Sequence, residues 1–279
     1  MIYKDEQLKA LLPANIRDDG MIVSHEGVTY GGFVYSAGLK LKMILQIFLS
    51  ALNYLNSKGI TLLRYKAIPI FYDKKPSEEI NYALFLLNAR LYRRDTSITI
   101  DLHSAASFSN RRKYEIKKAK RAGVFVAEEK NFGPFWTEIL IPNLQQRYGR
   151  NPVHSLEEIT LLASRFPSNI RQYCAYTNDR ISAGVIIYET ETVAHTQYIG
   201  VNAIGRNSGA LDYLIAHLIT NIYLNKKYFD FGICNENEGR YLNTGLLEWK
   251  EGFRGRCFCH DFYEIDTSKS ENLIPIING

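Results

Sequence analysis

The residues whose types and spacing could support chemistry are concentrated between Thr192 and Ile233. A glycine-containing segment, Asn202 to Gly209, follows a strand-like run and precedes apolar residues at helical spacing. The N–H groups and the dipole at the start of a helix favour bound phosphate, so this segment predicts a phosphate-binding loop. A tight turn that only needs Gly209 for its backbone conformation is the alternative.

Acid and base groups flank this segment in the sequence. His195 precedes it, and histidine is the side chain best suited to exchange a proton near neutral pH. A structural histidine is the alternative. Glu236 and Tyr241 lie in a polar segment after Ile233 and could act as general base and general acid. A polar surface loop is the alternative for these two residues.

Three elements must position these groups. A run with period two predicts a strand, followed after the loop by a long amphipathic helix over 210–222 and a short buried strand over 228–233. We expect one face of the first strand to carry Val193, His195, Gln197, Ile199 and Val201.

The same order of elements occurs earlier in the chain. A shift of 168 residues aligns the strand, loop and helix that end at Lys58 with those that end at Lys226. Few residues are identical, but matched order and length survive when identity does not. The sequence therefore predicts an internal duplication.

Composition indicates an ordinary globular protein. Of the 279 residues, 46% are hydrophobic and 23% charged, and no apolar run approaches the roughly 20 residues that span a bilayer. The N-terminus does not resemble a signal peptide. We expect a cytoplasmic protein without stable membrane insertion.

The four cysteines do not form a metal-binding pattern. Cys257 and Cys259 share one face of a predicted strand and His260 lies on the other, but a second ligand pair at suitable spacing is missing. Cys174 and Cys234 are isolated. We therefore predict buried thiols and no metal.

The net charge of +5 comes from one segment. Residues 111–123 contain seven basic residues and one acidic residue at helical spacing. Three interpretations are open: a solvated helix face opposite a buried stripe of Ile116, Ala119 and Ala122, a surface for the phosphates of a nucleotide- or lipid-linked substrate, or a surface for tRNA.

The remaining pattern leads to a family resemblance. An antiparallel meander over 170–201 is followed by the loop, helix and strand above, a short helix over 246–253 and a last strand over 257–265. This is the order of the GNAT acyltransferase fold. Three segments resemble FemAB-like members of that superfamily: residues 111–124 their basic helix, Tyr228–Gly232 their Y-D-F-G strand, and Trp249–Arg256 their F-K-x-x-F-G-G segment. Residues 24–32 also resemble a segment of FemAB-related acetyltransferases.

The resemblance implies an α/β (α+β) fold of tandem GNAT-like domains, each a mixed, mostly antiparallel sheet flanked by helices. We expect a partial first domain over residues 1–106, truncated at its start, and an acyltransferase domain over 107–279. It also implies transfer of an acyl group, with acetyl-CoA or another acyl-CoA as donor, to an amine on a cell-envelope or polysaccharide precursor.

Two other functions remain open. FemAB proteins transfer an amino acid from aminoacyl-tRNA to a peptidoglycan precursor, so tRNA is an alternative partner. A non-catalytic binding module with a degenerate phosphate loop is the other, and Leu211 favours it because GNAT loops carry a small residue there. The acceptor would be a small-molecule, lipid-linked or nucleotide-linked precursor.

The resemblance also assigns roles to residues. Lys250 matches the lysine of the F-K segment, where a cation would stabilise negative charge, and joins His195, Tyr241 and Glu236 as a catalytic candidate. The predicted substrate-binding residues are His25, Tyr30, Arg111, Arg112, Lys113 and Trp249. The predicted donor-binding residues are Ile199, Val201, Arg206, Asn207, Ser208, Gly209 and Ala210.

Overall fold

A computed structural model describes residues 1–27, 31–75, 77–104 and 107–279. Its strands, in chain order, are β1 (Ile2–Lys4), β2 (Gln7–Leu11), β3 (Ala14–Ile16), β4 (Ile22–Ser24), β5 (Val34–Tyr35), β6 (Leu62–Lys66), β7 (Arg90–Asp101), β8 (Phe125–Glu129), β9 (Ile170–Thr177), β10 (Arg180–Glu189), β11 (Val193–Val201), β12 (Tyr228–Ile233), β13 (Asn235–Glu236), β14 (Tyr241–Leu242) and β15 (Arg256–Asp266).

Helices separate most of these strands. The α-helices are α1 (Leu41–Ser57), α2 (Glu79–Leu86), α3 (Asn110–Arg121), α4 (Gly133–Phe135), α5 (Ile141–Tyr148), α6 (Leu156–Arg165), α7 (Ala203–Ser208), α8 (Ala210–His217), α9 (Thr244–Glu251) and α10 (Ile274–Asn278). Short π-helical segments, Trp136–Leu140 and Leu218–Ile222, and 3₁₀ segments, Ile70–Tyr72 and Thr267–Leu273, adjoin them.

The chain forms two compact units that alternate along the sequence. Unit one consists of Met1–Thr96, Asn235–Tyr241 and Cys259–Gly279, and unit two of Ser97–Cys234 and Leu242–Phe258. These bounds differ from the division into 1–106 and 107–279 because residues 262–266 of β15 pair with β6, inside unit one. The two-domain division itself stays a prediction.

Unit one contains a mixed sheet in the order β3-β4-β6-β15-β7, and a small antiparallel sheet of β1, β2 and β5. β4 runs parallel to β6, and the chain crosses between them through α1. The core packs α1 and the sheet around Phe33, Phe48 and Tyr65, with Leu273 and Ile277 from the C-terminal segment. Burial of these apolar side chains is the main contribution to the stability of unit one.

Unit two contains a mixed sheet in the order β7-β12-β11-β10-β9-β8. β11 runs parallel to β12, whereas β7 with β12, β10 with β11, β9 with β10 and β8 with β9 are antiparallel. One apolar cluster joins this sheet to α3 and α8, and another joins it to the helical segment 133–148 and to α6. Helices therefore flank the sheet, which confirms the predicted mixed fold class.

The two units share one pattern of strand pairing. In unit one, β3 is antiparallel to β4, β4 parallel to β6, and β6 antiparallel to β15. In unit two, β10, β11, β12 and β7 repeat that pattern. A helical crossover joins the two parallel strands in each case. This is the arrangement that the predicted internal duplication requires.

Several local predictions are confirmed. α6 begins with the predicted capping box, in which Ser155 Oγ accepts the N–H of Glu158 at 3.2 Å and the Glu158 carboxylate accepts the N–H of Ser155 at 2.7 Å. The helix expected over 132–148 forms, with a π-helical turn at Trp136–Leu140. The short helix near Trp249 and the last strand also form.

The predicted face of β11 is wrong beyond its centre. Ile187 lies opposite Thr196 and Ile186 lies opposite Tyr198, so Gln197 is an extra residue in a β-bulge. A bulge shifts the alternation of side chains by one residue. Consequently His195 and Ile199, expected on one face, lie on opposite faces of the sheet.

Candidate functional site

The carboxylate of Asp230 is the centre of a buried polar cluster in unit two. Its Oδ1 accepts hydrogen bonds from Ser97 Oγ at 2.7 Å, Thr99 Oγ1 at 2.8 Å and the Gly232 N–H at 3.1 Å. Its Oδ2 lies 2.7 Å from Nδ1 of His195. Adjacent strands supply these groups, because Asp230 pairs with Thr99 on β7 and with His195 on β11.

These hydrogen bonds keep the carboxylate charged. Burial by itself would raise the pKa of Asp230, but the bonds from His195, Ser97 and Thr99 outweigh it and hold the pKa at about 2. Hydrogen bonds to the ionised form lower a carboxyl pKa in this way. The ionised carboxylate fixes a proton on His195 Nδ1, which leaves Nε2 to accept a proton from a ligand.

The parallel pairing of β11 and β12 stops at this cluster. Val193, Ala194 and His195 pair with Tyr228, Phe229 and Asp230. Beyond His195, β11 continues to Val201 through the bulge at Gln197, without further recorded pairing to β12 in the described part of the chain. The parallel pairing of β11 and β12 therefore ends at the His195–Asp230 pair.

Lys250 reaches the same place from α9. Its side chain is 3% exposed, and Nζ donates to the carbonyl oxygens of Gly232 at 2.9 Å and Ile233 at 2.6 Å. Burial lowers the pKa of Lys250 to about 8, against the opposing attraction of Cys234 and Asp230. An ammonium has three N–H bonds, so two recorded acceptors leave one donor for a ligand.

Gly232 lies between the two candidate catalytic side chains. Its φ is +69°, and a Cβ at this position would lie 3.3 Å from Cε1 of His195. A side chain at residue 232 would therefore contact His195, while Lys250 binds the carbonyl oxygen of the same residue. The structure thus brings together two of the four predicted catalytic residues.

The segment 202–209, expected to be a loop, is mostly helical, and phosphate binding there stays a prediction. Residues 203–208 form the short helix α7, in which the Asn202 side chain accepts the N–H of Gly205 at 3.0 Å. Asn202 is a preferred residue for a helix N-cap. The glycines that suggested a loop have packing roles instead, since a Cβ on Gly205 would lie 2.2 Å from the carbonyl oxygen of Ser182.

The predicted donor-binding residues have divergent environments. Ser208, Gly209 and Ala210 are buried, and a Cβ on Gly209 would lie 2.6 Å from the carbonyl oxygen of Glu115 on α3. The start of α8 therefore faces α3. Arg206 and Asn207 are exposed.

The strand residues of this set are adjacent to Arg206. Its Nη1 donates to the carbonyl oxygen of Val201 at 2.8 Å. Ile199 and Val201 are partly buried against the cluster that contains α3 and α8. The end of β11 thus lies beside the exposed guanidinium.

Two predicted substrate-binding residues belong to a buried network in unit two. Arg112 is 5% exposed and forms an ion pair with Asp212 on α8. Burial raises the pKa of Asp212, although Arg112 and a hydrogen bond from Trp249 oppose this effect. Trp249 also packs edge to face on Phe231 and Phe253, with ring centroids 5.5 and 5.3 Å apart. Arg112 and Trp249 hold three helices together.

The other side of α3 carries the basic surface. Ser109 caps this helix by accepting the N–H of Arg112. Arg112 and Ala119 are buried, whereas Ala122 is exposed, so the expected stripe is wrong at its last member. The exposed basic residues are Arg111, Lys113, Lys117, Lys120 and Arg121.

Three further predicted site residues, His25, Glu236 and Tyr241, lie in unit one. Tyr30 lies outside the described residues. Glu236 and Tyr241 are exposed. His25 has φ +47°, and its carbonyl oxygen accepts a hydrogen bond from Lys66 Nζ at 3.2 Å. Burial and the charge of Lys66 lower the pKa of His25.

Asp230, Ser97 and Thr99 were not predicted as site residues from the sequence. One signal was available, because Asp230 is the only charged residue in Tyr228–Ile233, and a lone buried acid needs a partner. Ser97 and Thr99 looked like ordinary members of an alternating strand. Their role depends on the register of β7 against β12, which a single sequence does not show.

The four cysteines lie in two different environments. Cys174 and Cys234 are buried, but Cys257 and Cys259 are exposed, so the prediction of four buried thiols is wrong for this pair. They lie on the outer face of β15, while His260 is buried. Among the described residues, there is no group of three or more potential metal ligands and no helix long and apolar enough to cross a membrane.

Comparison with known proteins defines the fold. No protein-family model and no curated protein matches the sequence. Solved structures do match: the crystal structure of FemX has a TM-score of 0.64 at 10% identity, over 93% of this chain and 86% of FemX. The C-terminal domain of a lysylphosphatidylglycerol synthetase homologue from Agrobacterium fabrum has a TM-score of 0.62 at 11% identity, over 95% and 84%.

A third structure shows the duplicated architecture. A tandem GNAT protein from the clavulanic acid biosynthesis pathway has a TM-score of 0.51 at 10% identity, over 95% of this chain and 81% of that protein. At such identities the likeness concerns the fold. These matches show that the chain shares the fold of FemX and of tandem GNAT proteins.

Proposed function

We propose that this protein is an acyltransferase that transfers an acyl or aminoacyl group to an amine in unit two. The observation that carries this proposal is the buried His195–Asp230 pair at the point where β11 and β12 stop pairing. A base at this point can activate an amine for attack on an acyl donor held beside it. The FemAB-like fold agrees with this class of reaction.

The side chains have distinct roles in this reaction. Nε2 of His195 accepts a proton from the attacking amine, and Asp230 orients the imidazole and stabilises its charged form. The nitrogen then forms a bond to the acyl carbon, the bond to the leaving sulfur or oxygen breaks, and the protonated His195 returns its proton to that leaving atom. The third N–H of Lys250 stabilises the developing oxyanion, as preorganised donors do in acyl transfer.

Acyl-CoA, with acetyl-CoA as the first choice, is the donor that we propose to test first. The exposed Arg206 and Asn207, beside the end of β11, would hold its phosphates, because Gly209 and Ala210 are buried. The acceptor would be an amine on a cell-envelope or polysaccharide precursor, with Arg111 and Lys113 as candidate contacts for phosphate groups. His25, Glu236 and Tyr241, which lie in unit one, and Tyr30 are further candidate site residues.

A second candidate donor is aminoacyl-tRNA. The specific observation in its favour is the exposed basic side of α3, since phosphate contacts supply most of the affinity for RNA. With this donor, no CoA pyrophosphate has to bind at residues 203–208. These residues form the helix α7 rather than the expected loop. The acceptor would then be a peptidoglycan precursor.

Turnover with each donor tests the proposal. We expect His195→Gln to lower the rate by about 10²–10⁴ with the competent donor, the usual contribution of a general base. His103→Gln, an exposed histidine of unit two, is the matched control and should not change it. An unchanged rate in His195→Gln would refute the assignment of the base.

The donors are separated by charge reversal. Arg206→Glu should weaken acetyl-CoA binding in calorimetry if acyl-CoA is the donor. Lys117→Glu should weaken RNA binding, and reduce its salt dependence, if aminoacyl-tRNA is the donor. Absence of binding and turnover with both donors would contradict the acyltransferase and favour a non-catalytic binding module.

A further inference from the structure

The helix that carries Lys250 is held at its C-terminal end by α3. The N–H of Ser109, the residue that caps α3, donates to the carbonyl oxygen of Gly252 at 2.9 Å. A Cβ on Gly252 would lie 3.1 Å from Cγ of Arg112 and 3.2 Å from Oγ of Ser109. The first turn of α3 therefore packs directly on the residue that ends α9.

A buried ion pair connects α3 with α8. Arg112 on α3 pairs with Asp212 on α8, and the two side chains are 6% and 12% exposed. The guanidinium carbon of Arg112 also lies 5.8 Å from the centre of the Phe253 ring, just beyond α9. Desolvation offsets most of the attraction in a buried ion pair, so such a pair is weak evidence for stability. Its geometry supports another role, which is to fix one arrangement of the three helices.

Trp249 links this ion pair to α9. Burial raises the pKa of Asp212, and Arg112 and a hydrogen bond from the Trp249 side chain oppose this rise. The carboxylate thus interacts with two helices, α3 and α9. A buried carboxylate needs such partners to stay charged, and the indole ring is packed on Phe231 as well. These contacts together fix the direction of the Trp249 side chain.

Lys250 directly follows Trp249, so both side chains depend on the same turn of α9. The indole is directed toward Asp212, whereas Lys250 Nζ donates to the carbonyl oxygens of Gly232 and Ile233. Successive side chains of an α-helix are separated by about 100° around its axis. A rotation of α9 that displaced the indole would therefore move the ammonium away from its two acceptors.

We propose that Arg112, Asp212 and Trp249 are positioning residues for Lys250. The ion pair fixes the indole, the indole fixes the rotation of α9, and this rotation sets the place of the ammonium. The catalytic consequence rests on the proposed function, in which Lys250 stabilises the oxyanion. The placement of Lys250 does not depend on that function. Arg112 and Trp249 act through Lys250 and not by contact with substrate.

The environment of Lys250 can be measured without any substrate, by NMR titration of the full chain with isotope-labelled lysine. Trp249→Phe keeps an aromatic ring and removes the N–H donor. We expect it to raise the pKa of Lys250 by about 1, from about 8 toward 10.5, because the displaced ammonium regains water. Cys234 and Asp230 are the groups that oppose burial at Lys250. Loss of the indole N–H therefore changes the pKa through displacement of the ammonium.

Trp136→Phe is the matched control, because Trp136 is the other tryptophan of the chain and packs in the separate cluster with Phe135 and Ile139. This substitution should leave the pKa of Lys250 unchanged even where it lowers the melting temperature. A general loss of stability is thereby distinguished from a loss of positioning.

The ion pair itself is tested by the double substitution Arg112→Met and Asp212→Leu. It leaves no buried charge unpaired, and apolar replacement of a buried ion pair often keeps the fold. We expect the same rise in the pKa of Lys250. With the competent donor, kcat should fall about 10-fold to 100-fold at an unchanged KM, somewhat less than removal of one oxyanion donor costs.

Three results would overturn the positioning role. They are a wild-type pKa of Lys250 in either variant, an equal rise in Trp136→Phe, or a raised KM at an unchanged kcat, which would assign Arg112 or Trp249 to substrate binding. Absence of turnover with both donors contradicts the proposed function instead. The NMR titration still decides where Lys250 is held in that case.

Discussion

The parallel strand pairs of the two units have the same architecture but end in different chemistry. In unit two, the last pair of β11 and β12 joins His195 to Asp230 through their side chains. In unit one, β4 ends at Ser24, whose hydroxyl accepts the N–H of Lys66 at 2.8 Å. The strand pair of unit two therefore ends in two titratable side chains. That of unit one ends in a hydrogen bond from a backbone N–H group to a hydroxyl.

The end of a parallel strand pair is therefore not by itself a functional site. Both pairs have a helical crossover, and in both the recorded parallel pairing covers only two or three residues. Unit two differs because it contains the buried carboxylate of Asp230. This carboxylate accepts hydrogen bonds from four groups and holds the His195 imidazole in a fixed orientation. Such polar networks are stable only when they are fully satisfied.

The largest expected difference between the two endings concerns Asp230. Asp230→Ala should lower the free energy of unfolding by about 3–5 kcal/mol, because it removes one partner of a buried charged network. Ser24→Ala should cost only about 1 kcal/mol, since it removes a single hydrogen bond. Urea unfolding followed by far-ultraviolet circular dichroism measures both costs, and tryptophan fluorescence reports unit two separately because Trp136 and Trp249 lie there. Equal costs would contradict the comparison.

The effect of Asp230 should also depend on pH in a defined direction. Its pKa is about 2 in the folded chain, below the ordinary value of 3.8. The stabilisation is therefore complete above 3.8 and decreases as the pH falls through about 2. The wild type and Asp230→Ala should converge over this acidic range.

A smaller effect is expected from glycine substitution. Gly232→Ala and Gly38→Ala both place a side chain at positive φ, +69° and +78°, which costs about 1–2 kcal/mol. Nothing lies within 4 Å of a Cβ on Gly38, whereas one on Gly232 meets His195. Gly232→Ala should therefore cost about 1 kcal/mol more and lower turnover. Equal melting temperatures would show that His195 moves away without cost.

The buried lysine of unit two should give a stability change in alkaline solution. The pKa of Lys250 is about 8 in the folded chain and 10.5 ordinarily, so between these values the unfolded chain binds more protons. Stability then rises with pH, by up to about 1.4 kcal/mol per pH unit relative to Lys250→Met. Parallel pH profiles for the two proteins would contradict this assignment.

The lysine of unit one provides the smallest expected effect. Burial and the charge of Arg93 also lower the pKa of Lys66, but its side chain is less buried than that of Lys250. The sign is the same, so the wild type should gain stability over Lys66→Met as the solution becomes alkaline. The gain should be smaller than for Lys250. A larger gain in unit one would reverse the ranking of the two sites.

Elements governed by periodicity and capping were predictable from the sequence. The helix over 41–57, the capping box at Ser155 and the meander of β9, β10 and β11 follow from local patterns. The strand Tyr228–Ile233 and the helix of Lys250 were also placed correctly. Local patterns were sufficient here because burial of one face decides each element.

Features set by close packing were not predictable. Gly205 and Gly209 suggested a loop, but both are glycine because neighbouring backbone approaches them. The β-bulge at Gln197 does not interrupt the alternation of residue types in the sequence. It nevertheless places His195 and Ile199 on opposite faces of the sheet. The site also depends on the register of β7, β12 and β11, which brings Ser97 and Asp230 together over 133 residues of sequence.

The alternation of the two units along the chain has a consequence for synthesis on the ribosome. Unit one begins with the first residue, but β6 acquires its partner β15 only when Phe262–Asp266 has been made. Unit two is complete at Phe258. Since domains generally fold as units during synthesis, the unit that contains the His195–Asp230 pair can fold first. Unit one, which is begun first, is then completed last.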